Sequence, residues 1–245
     1  MRQNVNARMT ASKTWKVTDR IIAEAREQHR SVLLEPEAKM ICQAYGLPLP
    51  RFGVATGKKQ AVAFAKKLRY PVALKIVSAD ILHKTEAGGV LLNLNSKDEI
   101  EEGYEQLISN VKKFKKNARI SGVLVQHMAP AGLEVIVGGL RDSQFGAVVM
   151  FGLGGIFTEV LEDVSFGITP VKHWDALEMM RNIRGRAVLA GFRGEPVVDK
   201  NAIAMIICGV SKIMDENRWI GQLDLNPVMA YKHGCSIVDA RIVIA

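Results

Sequence analysis

The sequence contains few of the features that identify secreted, membrane-spanning or zinc-binding proteins. Its three cysteines, Cys42, Cys208 and Cys235, are far apart and form no C-x-x-C pair, which argues against a zinc site and a disulfide framework. No apolar run approaches the ~18 residues of a membrane span, and the first 28 residues lack the apolar core of a signal peptide. These absences predict a protein of the reducing cytoplasm with no membrane segment.

Aromatic residues are also scarce, at 6% of the chain, although the formal net charge is +8. Proteins that bind single-stranded nucleic acid usually interleave aromatic side chains with basic ones, and this chain does so rarely. The densest basic run, KKFKK at 112–116, ends a segment that begins with acids, an order that complements a helix dipole. We therefore expect no nucleic-acid partner and keep nucleic-acid binding only as a third hypothesis.

Neither G-x-x-x-x-G-K-[ST] nor G-x-G-x-x-G occurs, which excludes P-loop and Rossmann nucleotide sites. Helix and strand patterns instead alternate without a linker or an internal repeat. Helices are predicted over 36–46, 57–70, 97–117, 174–183 and 198–218, and strands over 51–56, 71–77, 90–95, 122–128, 133–142, 145–154, 221–231 and 236–244. Hairpin turns at Asp142 and at KHGC (232–235) favour an α/β fold with mixed sheets over a purely parallel one.

Lys75 and a glycine pair suggest a phosphate site. Lys75 lies within the apolar strand PVALKIV, where a lysine is costly unless its ammonium reaches water or an anion. Gly88 and Gly89 follow, and the amides of a glycine-rich turn can converge on phosphate oxygens. For Lys75 the alternative is a side chain that extends to water at a strand end.

His83 lies between Lys75 and the glycine pair, in ILHKTEAGGV. A neutral imidazole is a competent nucleophile toward phosphoryl groups near pH 7. An exposed loop histidine without a chemical role is the alternative that the residues alone leave open.

Oxygen-bearing side chains cluster in the segments LDLNPV and VDAR near the carboxyl terminus. If these segments are neighbouring antiparallel strands, Asn226 and Asp239 face one point, and Asp224 shares a face with Asn226. Such hard oxygen ligands suit Mg²⁺, although Asn-Pro is also a common turn. A further glycine turn at 152–155 precedes Glu159, Glu162 and Asp163, which fit either a substrate loop or solvated acids.

Five segments, in combination and order, resemble the nucleotide-binding β subunits of ADP-forming acetyl-CoA synthetases, ATP-grasp proteins in the family that includes succinyl-CoA synthetase. The segments are EPEAKMICQAYGLPLP, PVALKIVSADILHKTEAGGV, VLVQHMAPAGLEVIVGGLRDSQFG, FGLGGIFTEVLEDVSFGITPV, and GQLDLNPV with VDAR. The resemblance begins at about residue 33, which leaves residues 1–32 as an amino-terminal extension.

The resemblance implies roles for individual residues. Lys75 matches a strand lysine that contacts nucleotide phosphates, and Gly88 and Gly89 match a mobile loop over them. Asn226 and Asp239 match the Mg²⁺ ligands.

The same resemblance assigns a hinge and a phosphoryl relay. Val125, Gln126 and Met128 fall on the hinge whose backbone would meet the adenine edge, and Glu134 matches an acid that contacts the ribose or positions the lysines. The relay residues are His83, which matches the family's second phosphorylated histidine, Asp224, a carboxylate implicated in the relay, and Glu159, which would steady a visiting phosphohistidine.

The architecture implied is an ATP-grasp α/β fold with nucleotide between two lobes. The smaller lobe would be residues 50–122, and the larger lobe residues 33–49 and 123–245. The implied reaction is acyl-CoA (acetyl-CoA) + ADP + phosphate ⇌ acid + CoA + ATP, with Mg²⁺. Because the chain has no dinucleotide fingerprint for CoA, the resemblance implies a separate CoA-binding α subunit that carries the primary phosphohistidine, in an assembly such as α₂β₂.

A non-catalytic ATP-grasp module that regulates a protein acyltransferase is the main rival. His83 and Asp224 distinguish the ligase subunit from the regulatory module, because a module that only binds nucleotide needs no phosphate acceptor. ADP or GDP preference and acyl specificity stay open.

Overall fold

The computed structural model describes residues 2–81, 83–155, 162–191 and 197–245, with side chains described from Trp15 onward. Its helices are α1 (Arg2–Glu27), α2 (Glu35–Ala44), α3 (Lys58–Leu68), α4 (Lys97–Phe114), α5 (His173–Asn182) and α6 (Lys200–Glu216), with a 3₁₀ helix at Arg184–Ala190. Its strands are β1 (Phe52–Ala55), β2 (Val72–Val77), β3 (Val90–Leu94), β4 (Gly122–His127), β5 (Leu133–Asp142), β6 (Gly146–Leu153), β7 (Val164–Ile168), β8 (Ile220–Ala230), β9 (Cys235–Ile237) and β10 (Arg241–Ile244).

The chain divides into two compact units. The smaller comprises residues 34–36 and 50–129, and the larger comprises the residues up to Leu33, Glu37–Leu49 and Pro130–Ala245. The sequence analysis drew the boundary after residue 122 instead. The difference arises because β4 pairs with β1 and β2 in the sheet of the smaller unit.

The smaller unit is a four-stranded antiparallel sheet with α3 and α4 packed against it. The strand order is β1-β4-β2-β3, so β4 lies between the two strands that α3 connects. All six residues of β2 are buried, which is typical of a strand that is covered rather than half-solvated. A buried strand therefore carries Lys75.

The larger unit is a six-stranded sheet in the order β10-β8-β5-β6-β7, with β9 added beside β8. An apolar stripe of α6 that includes Ile203, Ile207 and Val210 is buried in its core. β5 approaches this helix closely, since a Cβ on Gly139 would lie 2.6 Å from the Met214 Cγ. The neighbouring residue Leu140 is exposed, as expected on the opposite face of a strand.

The amino-terminal segment belongs to the larger unit. Ile21, Ile22 and Ala25 of α1 are buried in its core, and Val32 forms an isolated bridge with Val243. Residues 1–32 were predicted to be an amino-terminal extension, and the second half of α1 packs into the core of the larger unit. The amphipathic spacing of those three residues explains the packing.

The α/β fold class is confirmed, and every predicted helix and strand lies close to an observed element. In the described ranges all strand pairings within both sheets are antiparallel, where mixed sheets were expected. β7 is an additional strand in a segment assigned to a loop. No helix among the described residues is long and apolar enough to cross a lipid bilayer.

Candidate functional site

Lys75 forms a buried ion pair in the smaller unit. Its Nζ lies 2.8 Å from Glu35 Oε1, and the two side chains are 5% and 2% exposed. The expected anion for this costly buried ammonium is thus supplied by the chain itself. An extended, water-facing lysine is ruled out by this burial.

Lys84 shares the same carboxylate, which makes a three-residue lysine cluster of Glu35, Lys75 and Lys84. Lys84 Nζ lies 2.5 Å from Glu35 Oε2, and the lysine side chain is 20% exposed. One buried carboxylate therefore contacts two ammonium groups in the smaller unit. The sequence analysis assigned no role to Glu35.

His83 is the exposed neighbour of this cluster. Its side chain is 71% exposed, and Nδ1 lies 3.7 Å from Glu86 Oε1. Its carbonyl accepts a hydrogen bond from the Ala87 amide at 3.2 Å, which closes a turn. The imidazole is therefore accessible to a second molecule, and its role in phosphoryl transfer stays a prediction.

The glycine pair forms the end of this turn. Gly88 has φ +60, a conformation that side chains with a Cβ rarely adopt. Its amide donates to Thr85 O at 3.0 Å, and the amide of Gly89 donates to Lys84 O at 2.7 Å. The glycine amides are thus used within the turn, and they could bind phosphate only if the turn opens.

Asp80 clamps the segment that leads to His83. Its Oδ2 accepts from the Arg119 amide at 2.8 Å and from Arg119 Nε at 3.3 Å, and Lys115 Nζ donates to its carbonyl at 3.3 Å. Ser78 Oγ also donates to Arg119 O at 2.7 Å. These bonds fix the start of the His83 turn to the segment between α4 and β4.

We expect Asp80→Ala to release this clamp, so that hydrogen–deuterium exchange at the Arg119 amide becomes severalfold faster. The bonds from Arg119 lower the pKa of Asp80 from its ordinary value of 3.8. The clamp therefore contributes stability above that value and loses it as the pH falls through the lower folded pKa. Asp98→Ala, an exposed carboxylate of α4, is the control, and unchanged exchange at Arg119 in the Asp80 variant would contradict the clamp.

The predicted hinge residues occupy β4 and its end. Val125 pairs with Gly53 on one side and Leu74 on the other, and Gln126 pairs with Phe52 and Ala73. Because β4 is an internal strand, the backbone groups of Val125 and Gln126 are committed to the sheet.

Met128 lies just beyond β4. Its amide donates to Pro71 O at 3.0 Å. The Met128 amide is thus also used within the smaller unit, and contact of the hinge backbone with a base stays a prediction.

Glu134 lies in the larger unit, on β5. It pairs with Met229, and its carbonyl accepts from the Gly154 amide at 2.8 Å. A Cβ on Gly154 would lie 2.7 Å from Glu134 Cβ, so glycine is needed for this close approach. The structure thus brings Glu134 to the glycine turn at 152–155, and its role toward a nucleotide stays a prediction.

In the larger unit Asn226 lies on β8, and Asp239 lies between β9 and β10, the two strands that pair with β8. One register pairs Val228 with Ile237 and Asp224 with Arg241, and that register places Asn226 across from Asp239. The facing of these two side chains stays a prediction that this register supports. Buried Lys39 holds this segment, because its Nζ donates to Val238 O at 2.9 Å.

Asp224 completes an oxygen set with Asn226 and Asp239. The pKa of Asp224 is raised above its ordinary value, mainly by burial, with Arg241 opposing the shift and the charge of Asp239 adding to it. Two carboxylates and an amide are hard oxygen ligands that suit Mg²⁺, and a cation would relieve their repulsion. Among the described residues no group of three His, Cys, Asp or Glu side chains could hold a metal ion, and binding of Mg²⁺ by Asn226 and Asp239 stays a prediction.

Glu159 lies outside the described residues. Asp163 is buried, and its two carboxylate oxygens accept from the amides of Arg184 and Gly185, both at 2.7 Å. Asp163 therefore caps the 3₁₀ helix, a structural role that the sequence analysis missed when it treated the acids after the glycine turn as substrate-loop or solvated residues.

Comparison with known proteins decides the family. The model of the ATP-grasp domain matches residues 24–244. The β subunit of acetate–CoA ligase [ADP-forming] I from Pyrococcus furiosus is 46% identical over 224 residues, which cover 91% of this chain and 96% of that protein. The chain belongs to the β subunits of ADP-forming acetate–CoA ligases, within the ATP-grasp proteins.

Solved structures agree with this β-subunit assignment. One is the Ca. Korarchaeum cryptofilum dinucleotide-forming acetyl-coenzyme A synthetase 1 with coenzyme A, Ca-AMPCP and HgCl⁺, with a TM-score of 0.90, 44% identity, and 91% and 98% of the two chains covered. Another structure of that synthetase, with coenzyme A and Mg-AMPPCP and its phosphohistidine segment pointing towards the nucleotide-binding site, has a TM-score of 0.83, 40% identity, and coverage of 93% and 100%. The ATP-grasp fold and the ligase family predicted from sequence are confirmed. The family match also begins at residue 24, within α1.

Proposed function

We propose that this chain passes a phosphoryl group between a phosphohistidine of a separate α subunit and ADP, in the reaction acyl-CoA (acetyl-CoA) + ADP + phosphate ⇌ acid + CoA + ATP. The observation that carries the proposal is the exposed His83 imidazole next in sequence to Lys84, whose ammonium group contacts the same buried carboxylate as that of Lys75. The β subunits of acetate–CoA ligases among the relatives support the reaction class.

The chemistry proposed for His83 has two steps. A ring nitrogen attacks phosphorus while the N–P bond to the partner's histidine breaks, which leaves a phosphorylated His83. A terminal oxygen of the ADP β-phosphate then attacks, the N–P bond to His83 breaks, and ATP forms. Phosphoryl transfer needs mainly alignment and charge neutralisation from the protein, and Lys75 and Lys84 supply positive charge.

The oxygen set would hold Mg²⁺ through Asn226 and Asp239. When bound, Mg²⁺ neutralises charge on nucleotide phosphates. Asp224, whose pKa is raised by burial, completes the proposed relay, and Glu159 would steady the visiting phosphohistidine. Gly88, Gly89, the hinge at Val125, Gln126 and Met128, and Glu134 are proposed nucleotide contacts.

The proposal includes a CoA-binding α subunit with the primary phosphohistidine and an α₂β₂ assembly. The name of the relatives as β subunits supports a separate partner. A cytoplasmic location is also proposed, because all three cysteines are free thiols.

Reconstitution tests this function directly. The chain is mixed with the α subunit from the same source, and ATP is measured in the presence of acetyl-CoA, ADP, phosphate and Mg²⁺. ATP should form only when both chains are present. An intact complex that binds ADP and forms no ATP with any acyl-CoA would support the regulatory module, and salt-sensitive DNA retention without stabilisation by ATP would support nucleic-acid binding.

A further inference from the structure

Glu35 occupies the place in the lysine cluster that an anionic ligand would take. One carboxylate oxygen meets Lys75 at 2.8 Å and the other meets Lys84 at 2.5 Å, so a single anion spans both ammonium groups. A phosphoryl group likewise offers several oxygens to two cations. We propose that Glu35 is a positioning residue that stands in for phosphate and releases Lys84 to the phosphoryl group during transfer.

Burial decides which lysine exchanges its partner. Lys75 and Glu35 are 5% and 2% exposed, whereas Lys84 is 20% exposed. Separating the deeply buried pair would take a close partner from two charges with little access to water, which is strongly unfavourable. Lys84 has water access and a flexible four-carbon chain, so the exchange takes place at Lys84 while Lys75 stays with Glu35.

The position of Lys84 in the chain connects its change of partner, from Glu35 to a phosphoryl group, with phosphoryl transfer at His83. Lys84 directly follows His83, and its carbonyl accepts from the Gly89 amide at 2.7 Å. While Lys84 is held by Glu35, the turn that bears His83 is tied to a buried carboxylate. Once a phosphoryl group arrives, a second anion competes for the same ammonium, and that competition lowers the affinity for the ligand.

Glu35→Gln tests the competition, and the inference rests on the proposed nucleotide site. The amide keeps the shape of the side chain but not its charge. ADP binding with Mg²⁺, measured by titration calorimetry, should become tighter by roughly 3- to 10-fold, because the ligand no longer displaces an internal anion. The rate of ATP formation in the reconstituted complex should fall, because Lys84 and the His83 turn lose their anchor.

Tighter ADP binding together with slower ATP formation would identify Glu35 as a positioning residue. If Glu35 had only a structural role, its replacement would weaken ADP binding and also slow ATP formation. Glu35→Asp, which restores the charge, should return ADP affinity toward the wild-type value. Glu105→Gln, which removes the surface partner of Lys58 in the same unit, should change neither quantity. Folded Glu35→Gln with unchanged or weaker ADP binding overturns the inference.

Lys84→Gln provides a second route should Glu35→Gln fail to fold. This variant keeps the buried pair and removes the exchanging ammonium, so ADP should bind at least about threefold more weakly. Wild-type affinity in Lys84→Gln overturns the exchange. If the wild-type chain itself fails to bind ADP, the proposed nucleotide function fails instead.

Discussion

His83→Asn is expected to abolish ATP formation in the complex with the α subunit while ADP still binds. Asparagine is polar and similar in size but cannot accept a phosphoryl group, and loss of a nucleophile costs at least about 10⁴-fold in turnover. The side chain is 71% exposed, so its replacement should leave the fold intact. ATP formation is measured by a coupled assay and ADP binding by calorimetry.

The matched control is His173→Asn, an exposed histidine of α5 whose Nε2 lies 3.2 Å from Asn201 Oδ1. It should retain full turnover. Acid-labile ³²P label should appear on the wild-type chain and disappear in His83→Asn only. Full turnover by His83→Asn would show that the phosphoryl group does not pass through this imidazole.

Asp239→Asn should raise the Mg²⁺ concentration needed for half-maximal ADP binding by at least about tenfold, since alterations around a metal site commonly cost 10–100-fold in affinity. Asn226→Ala should act in the same direction. Asn226→Ala removes one oxygen ligand from a set of three, whereas Asp239→Asn keeps an amide oxygen but removes the negative charge that attracts the cation. Calorimetric titration of ADP at a series of Mg²⁺ concentrations measures the effect without requiring turnover.

Asp142→Asn serves as the control for the metal prediction. Asp142 also lies in the larger unit, but its Oδ1 accepts from the amides of Gln144 and Phe145 in the hairpin between β5 and β6. Its replacement should leave the Mg²⁺ dependence unchanged. An identical Mg²⁺ titration for wild type and Asp239→Asn would exclude Asp239 as a ligand.

Local sequence patterns predicted most of the secondary structure because hydrophobic spacing and turn residues act over a few positions. The hairpin at Asp142 and the apolar stripe of α6 are examples. β7 was missed because VSFGI is short, contains a glycine and follows a charged loop. The order of strands depends on long-range pairing, which explains why β4 was placed in the wrong unit.

The approach of the Asn226 and Asp239 segments could be predicted from sequence, because Asn226 lies on β8 and Asp239 lies between β9 and β10, the two short strands that pair with β8. Glu35 could not, since it is 40 residues from Lys75 and 49 from Lys84. An acidic residue at the start of α2 has a local explanation at a helix amino terminus. The use of the Gly88 and Gly89 amides within their own turn likewise depends on backbone angles that two adjacent glycines do not specify.

The Asp80 clamp limits how far His83 can travel. Three residues of extended chain span about 10 Å. While Arg119 holds Asp80, the imidazole of His83 can therefore reach only positions close to Asp80. The other end of the turn is also held, because the Ile76 amide donates a hydrogen bond to Gly89 O at 2.8 Å. In the proposed function, movement of the phosphoryl group over a longer distance would therefore depend on the α subunit. His83 would accept the group close to its own position in this chain.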